Sequence, residues 1–175
     1  MLTTIALVIG ALMLVLLAYA ATRPDAFHIA RTANIKAPAE KIFPRINNLK
    51  ELNTWIPFLK DDPNIQIVYT GPDAGKGAAH DWAGNKKVGK GHIEITESVP
   101  PSRITMKLDM LEPMQARNTV MFTLATKGAT TDVTWAMDGK CTFASKLMGL
   151  FMSPDKMVGG AFEKGLADLK VLAEK

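Results

Sequence analysis

The chain has three histidines and one cysteine, the side chains that most often serve metal binding and nucleophilic catalysis. His28, His80 and His92 form no H-x-H or H-x-x-x-H pattern, and Cys141 has no histidine near it in sequence. This spacing argues against a metal site, and Cys141 is interpreted as a lone buried thiol. We therefore expect no cofactor, and the sequence shows no catalytic motif.

Polar residues within otherwise apolar strand faces are better candidates for a functional site. By alternation, His80 shares a face with Trp82, and Asn118 shares one with Val120 and Phe122. If these faces point inward, His80 and Asn118 can orient a ligand carbonyl or hydroxyl, and His80 is also a candidate general base. The alternative for His80 is a half-solvated position near a strand end.

Charged residues are expected to lie outside this site. Arg117 falls on the face opposite Asn118, at the rim, while Glu94 and Asp109 alternate outward and are expected to be solvated. The net charge of +4 comes from scattered lysines rather than a basic cluster. This distribution argues against nucleic acid as a partner.

The elements that position these residues follow from hydrophobic periodicity. A period of two predicts strands, and a period near 3.6 predicts helices. A tight turn is expected at Gly84-Asn85, and the tail from about residue 143 is expected to form a short helix, a break near Pro154 and a long helix. The predicted strands cover residues 27–36, 65–69, 78–83, 89–95, 104–110, 119–124 and 132–137, and short helices are expected over 38–46 and 49–53.

Each strand has one apolar face, which predicts an antiparallel sheet covered on one side by the long C-terminal helix. A twisted, curved sheet can leave a hollow beneath this helix. Gly159, Gly160 and Gly165 in the helix can be explained in two ways: they leave volume for a ligand, or they allow a close approach of helix and sheet or a bend. The expected ligand-binding residues are His80, Trp82, Ile93, Met106, Leu108, Met110, Asn118, Phe122, Trp135, Met137 and Phe162.

Residues 1–22 carry no charged side chain and include IALVIGALMLVLLAYAA, long enough to cross a bilayer. We interpret them as a transmembrane anchor, with a cleaved signal peptide ending near Ala18-Tyr19-Ala20 or a buried core helix as alternatives. Positive residues after the span favour a cytoplasmic domain, whereas the A-x-A pattern favours export. The side of the membrane stays open.

The ordered set of these segments resembles the SRPBCC superfamily, which includes START-like and polyketide cyclase/dehydrase-like proteins. The resemblance covers about residues 27–173 and implies an α+β helix-grip fold, a curved antiparallel sheet of about six or seven strands around a long C-terminal helix. The matching segments are residues 35–43, 53–58, 82–85, 88–91, 131–135 with Met137 and Gly139, and 162–170.

The resemblance also implies a deep hydrophobic cavity, but no catalytic motif that can be transferred residue by residue. We expect an anchor over 1–22 and a ligand-binding domain over 27–175, with a small hydrophobic molecule or lipid and the membrane as partners. Two alternatives stay open: a cyclase- or dehydrase-like enzyme using a group such as His80, and a co-chaperone-type interaction module.

Overall fold

The computed structural model describes residues 2–150 and 155–175, and the predicted break at Pro154 lies outside them. Alternating and helical periods produce the expected order of elements. These are α1 (Leu2–Ala21), β1 (Ala26–Ile35), α2 (Ala39–Asn47), α3 (Leu49–Trp55), β2 (Gln66–Thr70), β3 (Ala79–Ala83), β4 (Lys90–Val99), β5 (Arg103–Glu112), β6 (Ala116–Lys127), β7 (Thr130–Lys140), α4 (Phe143–Met148), a π-helical turn (Asp155–Gly159) and α5 (Gly160–Ala173).

The seven strands form one antiparallel sheet in the order β1-β7-β6-β5-β4-β3-β2. Hairpin neighbours pair in sequence from β2 to β7, and β1 closes the arrangement by pairing with β7. One face of the sheet packs against α2, α3 and α5 and is called the inner face below. The predicted α+β helix-grip architecture is confirmed.

Helix α5 lies against the inner face at Trp135 of β7. The Trp135 ring stacks on Phe162 with 4.1 Å between ring centroids, and a Cβ at Gly165 would lie 2.8 Å from Trp135 Cζ3. A Cβ at Gly159 would likewise meet the Arg31 guanidinium. At Gly159 and Gly165, therefore, the glycines allow close approach rather than leaving volume for a ligand.

Helix α5 covers the sheet as predicted, but it shares the inner face with α2 and α3, which bury apolar residues there. Trp55 of α3 contacts Phe122 and Trp135 edge to face, with centroids 6.0 and 5.6 Å apart. Its indole Nε1–H donates to Arg45 O at 3.0 Å, which satisfies its polar group. The middle of the hollow expected from the sequence is thus filled by aromatic side chains.

The connection between β3 and β4 is longer than the predicted tight turn. It covers residues 84–89, and it is organised by side-chain oxygens that accept from backbone amides. Asn85 Oδ1 accepts from the amides of Lys87 and Val88, and Asp62 Oδ2 accepts from the Asn85 amide. A Gly-Asn pair in the sequence does not by itself reveal a turn that is held by bonds from backbone amides to side-chain oxygens.

The antiparallel register defines two ends of the sheet. The anchor end contains the start of β1, the end of β7, the β5–β6 turn and α4, because Ala26 pairs with Lys140 and Met110 with Ala116. At the opposite end, the Lys36 amide donates to Glu174 just beyond α5. Helix α5 begins beside Arg31 in the middle of β1, where a Cβ at Gly159 would meet the guanidinium, and runs to the opposite end.

Candidate ligand-binding site

The inner face changes character along the length of the sheet. Towards its centre, core side chains are almost fully buried: Met106, Phe122, Trp135 and Phe162 are examples. Towards the anchor end, inward-facing residues are only half-buried: Leu108 and Met110 on β5, Asn118 on β6 and Phe27 on β1. We call these last four residues the mouth.

Two glycines on the inner face seat large side chains beside the mouth. Trp82 pairs with Gly91, where a Cβ would lie 2.3 Å from the indole ring. Asn118 pairs with Gly139, where a Cβ would lie 2.2 Å from Asn118 Oδ1. Any larger residue at these two positions would displace the side chain that lies across it. Glycine is disfavoured within strands, so both positions carried a detectable signal of close approach that the sequence interpretation did not use.

His80 is 2% exposed, so the alternative of a half-solvated histidine is wrong. Its Nε2 lies 3.3 Å from Asn53 Nδ2, and the same amide donates to the Tyr69 hydroxyl at 3.0 Å. Burial lowers the pKa of His80 from 6.5 to about 4, so the ring is neutral at pH 7. Asn53 was not among the predicted site residues, because α3 meets β3 only in the folded chain.

The described part of the chain buries six side-chain polar atoms that have no hydrogen-bonding partner within the protein. Such groups are rare in folded proteins because burial without a partner costs free energy. Five of the six lie on the inner face or on the helix covering it: Asn53 Oδ1, His80 Nδ1, Trp82 Nε1, Asn118 Oδ1 and Trp135 Nε1. This apolar interior therefore offers both hydrogen-bond donors and acceptors.

The predicted ligand-binding residues divide into three groups. Met106, Phe122, Trp135 and Phe162 pack in the core, and His80 lies sealed beneath α3. Trp82, Ile93 and Met137 are buried next to the mouth. Leu108, Met110 and Asn118 form part of the mouth itself.

His80 and Asn118 occupy the same transverse row of the inner face, through Ile93 and Leu108. Three strand spacings separate their backbones by about 14 Å in a flat sheet. They cannot bind a single ligand atom together. They lie at the two ends of a row of residues, and the length of this row is similar to that of a small polycyclic molecule.

Other sequence candidates lie away from the inner face. His28 and His92 bind carboxylates on the outer face, His28 to Asp138 at 2.7 Å and His92 to Asp81 at 2.9 Å. Cys141 is a free, half-buried thiol rather than a fully buried one. Within residues 2–150 and 155–175, no three histidine, cysteine or acidic side chains converge in a way that could hold a metal ion.

Asp109 is less solvated than its outward position predicts. Its side chain is only 18% exposed, because Lys107 Nζ lies 2.7 Å from one oxygen and Arg117 Nε lies 3.8 Å from the other. Arg117 itself is exposed on the outer face, where the alternation puts it. These charges screen one another and do not reach the inner face.

Two surface grooves are defined by described residues, and both lie away from the mouth. The larger, about 550 Å³, lies along α2 and α3 and includes Lys41, Arg45 and Glu51. The smaller, about 160 Å³, lies beside β2 and includes Tyr69 and Asp73. Neither groove enters the space between the sheet and α5.

The family model described as "Polyketide cyclase / dehydrase and lipid transport" matches residues 26–174, the whole sheet with α2 to α5. The chain belongs to this family. Membership supports a ligand-binding or cyclase-like role with a hydrophobic small molecule. No curated protein matches the sequence.

Several solved structures are similar to this chain in fold. Protein CV1439 from Chromobacterium violaceum has 17% identity and a TM-score of 0.60, over 87% of this chain and 99% of that one. The di-domain ARO/CYC BexL from the BE-7585A biosynthetic pathway has 15% identity and a TM-score of 0.61, over 90% and 53%. The Aha1 dimer from Colwellia psychrerythraea has 19% identity and a TM-score of 0.56, over 85% and 96%. At these identities the likeness shows the fold alone.

Helix α1 is long and apolar enough over Thr3–Ala21 to cross a membrane. A signal sequence near the N-terminus would meet the same criteria of length and composition. Most side chains of α1 are exposed, so the folded domain does not use them as core. The alternative of a buried core helix is therefore wrong.

Proposed function

We propose that this protein binds a small hydrophobic molecule that carries hydrogen-bonding oxygen atoms, at the anchor end of the inner face, while α1 anchors the domain in a membrane. In this proposal residues 1–22 form the anchor and residues 27–175 the binding domain. The ligand contacts are the mouth residues Leu108, Met110 and Asn118, together with Trp82.

The observation that carries the proposal is the set of unpartnered polar atoms beside half-buried apolar side chains. A purely apolar guest would leave Trp82 Nε1 and Asn118 Oδ1 unpartnered. A guest with a hydroxyl and a carbonyl group would give the indole an acceptor and the amide oxygen a donor. Aromatic polyketides carry both groups, and their planar rings suit a site lined by aromatic side chains and methionine.

A cyclase- or dehydrase-like activity is the second candidate, and the family description favours it. His80 is the polar group that such a reaction would use in this chain. A general base is most effective when its pKa lies near the working pH, and burial lowers the pKa of His80 to about 4. The Nε2 atom of its ring also lies beneath α3, 3.3 Å from Asn53 Nδ2. Both features favour binding over base catalysis.

Binding can be tested with the full chain in lipid nanodiscs, titrated with a dihydroxyanthraquinone while tryptophan fluorescence is followed. Anthracene has the same ring skeleton without oxygen, and empty nanodiscs correct for partition into lipid. We expect the oxygenated compound to bind more tightly. One hydrogen bond contributes about 1 kcal/mol, so Asn118→Leu should weaken its binding roughly fivefold and leave anthracene unaffected.

Thr119→Val is the matched control, because Thr119 lies next to Asn118 on the exposed outer face of β6. This variant should bind both compounds as the wild type does. Equal affinity for the two compounds, or an Asn118→Leu variant that binds the oxygenated compound as tightly as the wild type, would contradict the proposed site.

A further inference from the structure

Among the described residues outside α1, several large apolar side chains are exposed, and four of these lie at the anchor end. Leu111 and Met114, in and after the end of β5, are 52% and 47% exposed. Phe143 and Met148 of α4 are 48% and 46% exposed. We call these four residues the apolar rim. Exposed apolar residues grouped at one end of a domain indicate an interaction surface.

Helix α4 carries apolar residues that the domain does not absorb, since none of its residues is buried. It is nevertheless held next to the end of α1. Lys146 forms an ion pair with Asp25, and the Cys141 amide donates to Asp25 O at 2.8 Å. The rim residues on α4 therefore lie beside the point where α1 joins the domain.

The connection between α1 and the domain is short. Only residues 22–25 separate α1 from β1. Four extended residues reach about 14 Å at most, and the headgroup layer on each side of a bilayer is roughly 5–8 Å thick. If α1 spans the bilayer, the anchor end of the sheet must lie in or next to the headgroups.

Charges and aromatic rings at this end suit the surface of a bilayer. The Arg23 guanidinium lies 5.9 Å from the centre of the Tyr19 ring, a pair of residue types favoured at the lipid–water interface. Lys86 and Lys140 also lie at the anchor end, and neither forms an ion pair within the described residues. Anionic headgroups would attract all three cations.

We propose that the apolar rim rests in the interfacial layer of the bilayer that α1 spans, so that the mouth opens onto lipid and the ligand enters from the membrane. This inference rests on the proposed membrane anchor and binding site. It specifies the ligand further, as a molecule dissolved in the membrane rather than one delivered through water. The partner of this surface is the bilayer itself.

The depth of the rim can be measured by spin labelling of the full chain in vesicles of phosphatidylcholine and phosphatidylglycerol. Cys141→Ser removes the native thiol, and Met114→Cys or Met148→Cys then places a label on the rim. Leu12→Cys reports on α1, and Ala129→Cys labels the exposed β6–β7 turn at the opposite end. Collisions with oxygen report lipid, and collisions with a water-soluble nickel complex report water.

We expect oxygen to dominate at residues 12, 114 and 148, and the nickel complex to dominate at residue 129. A label in lipid at residue 12 with residues 114 and 148 as wet as residue 129 would overturn rim docking and leave the anchor intact. A wet label at residue 12 would overturn both. These results do not depend on any ligand, so they separate the rim from the binding proposal.

Loading is tested by the rate at which the dihydroxyanthraquinone moves from these vesicles to the reconstituted chain. Met114→Glu should slow transfer several-fold and leave affinity in detergent solution unchanged, because the rim is not part of the mouth. Val99→Glu at the opposite end, where Val99 is 39% exposed, is the matched control and should not slow transfer. Equal rates for the wild type and Met114→Glu would overturn loading from the membrane.

Discussion

At the residue scale, His80 differs from the two other histidines in its location and burial. His28 and His92 lie on the outer face beside carboxylates, whereas His80 is buried between the rings of Tyr69 and Trp82, 5.4 and 5.9 Å away between centroids. Burial penalises the charged imidazolium and lowers its pKa to about 4. His80 is therefore a neutral polar group in an apolar interior.

The low pKa of His80 predicts that the domain loses stability on mild acidification. The pKa is near 6.5 in the unfolded chain and about 4 in the folded one, so between these values the unfolded chain binds more protons. The free energy of unfolding therefore falls as pH drops through this window. Between pH 7 and pH 5, His80→Phe should lose about 2 kcal/mol less stability than the wild type.

Urea unfolding of the detergent-solubilised chain measures this difference, because all three tryptophans are buried and report on the core. Near-ultraviolet circular dichroism at pH 7 is the control that His80→Phe keeps the native packing. Parallel pH profiles for the variant and the wild type would show that His80 is not the source of the acid sensitivity.

At the element scale, the position of α5 is set by its contacts with two neighbouring strands, β1 and β7. Arg31 of β1 donates to Glu163 at 2.6 Å and to Asp155 at 3.0 Å, and these acids raise the pKa of the guanidinium above its usual range. Trp135 stacks on Phe162, the residue directly before Glu163. The contacts hold α5 close to the sheet, which removes the hollow expected at its centre.

Two glycines of α5 provide a matched test of this close approach. Gly165→Ala would place a Cβ 2.8 Å from Trp135 Cζ3 and 3.3 Å from Pro57 Cδ, while at Gly160 nothing lies within 4 Å. Overpacking should destabilise the Gly165→Ala variant by about 1–3 kcal/mol. Gly160→Ala should stabilise the domain by up to about 1 kcal/mol through helix propensity.

Urea unfolding compares both variants with the wild type. A Gly165→Ala variant as stable as the wild type would mean that α5 does not press on Trp135. In that case there would be free space beneath the helix, in agreement with the wider cavity that the sequence predicted.

At the scale of the whole molecule, an apolar helix of 20 residues is joined to a domain of the polyketide cyclase, dehydrase and lipid transport family. The half-buried residues of the mouth lie at the end of the sheet where α1 joins the domain. If α1 is retained as an anchor, the binding site is held at the membrane surface. If α1 is a signal sequence that is removed, the domain is released without it.

Retention of α1 can be measured on the chain expressed in a bacterial host. We expect the full-length mass in the membrane fraction after alkaline carbonate extraction. Leu12→Arg together with Val15→Arg should shift the chain out of the membrane fraction, since each arginine near the centre of a span costs about 3 kcal/mol. A shortened chain in the soluble fraction of the wild type would show that the segment is a cleaved signal.

The sequence by itself determined the order of elements, the one-sided sheet and the inward direction of His80, Trp82 and Asn118. These depend on local periodicity, because alternation fixes the face of each strand residue once the strand is known. It also marked the apolar N-terminal segment, because length and composition alone define such a helix.

Only the tertiary structure decided how much of the interior is open. The aromatic cluster of Trp55, Phe122, Trp135 and Phe162 comes from α3, β6, β7 and α5, and no local pattern shows that these rings meet. Packing between distant segments depends on complementary shape rather than on hydrophobic order. For this reason the predicted ligand-binding residues divide into a filled centre and a mouth at the anchor end.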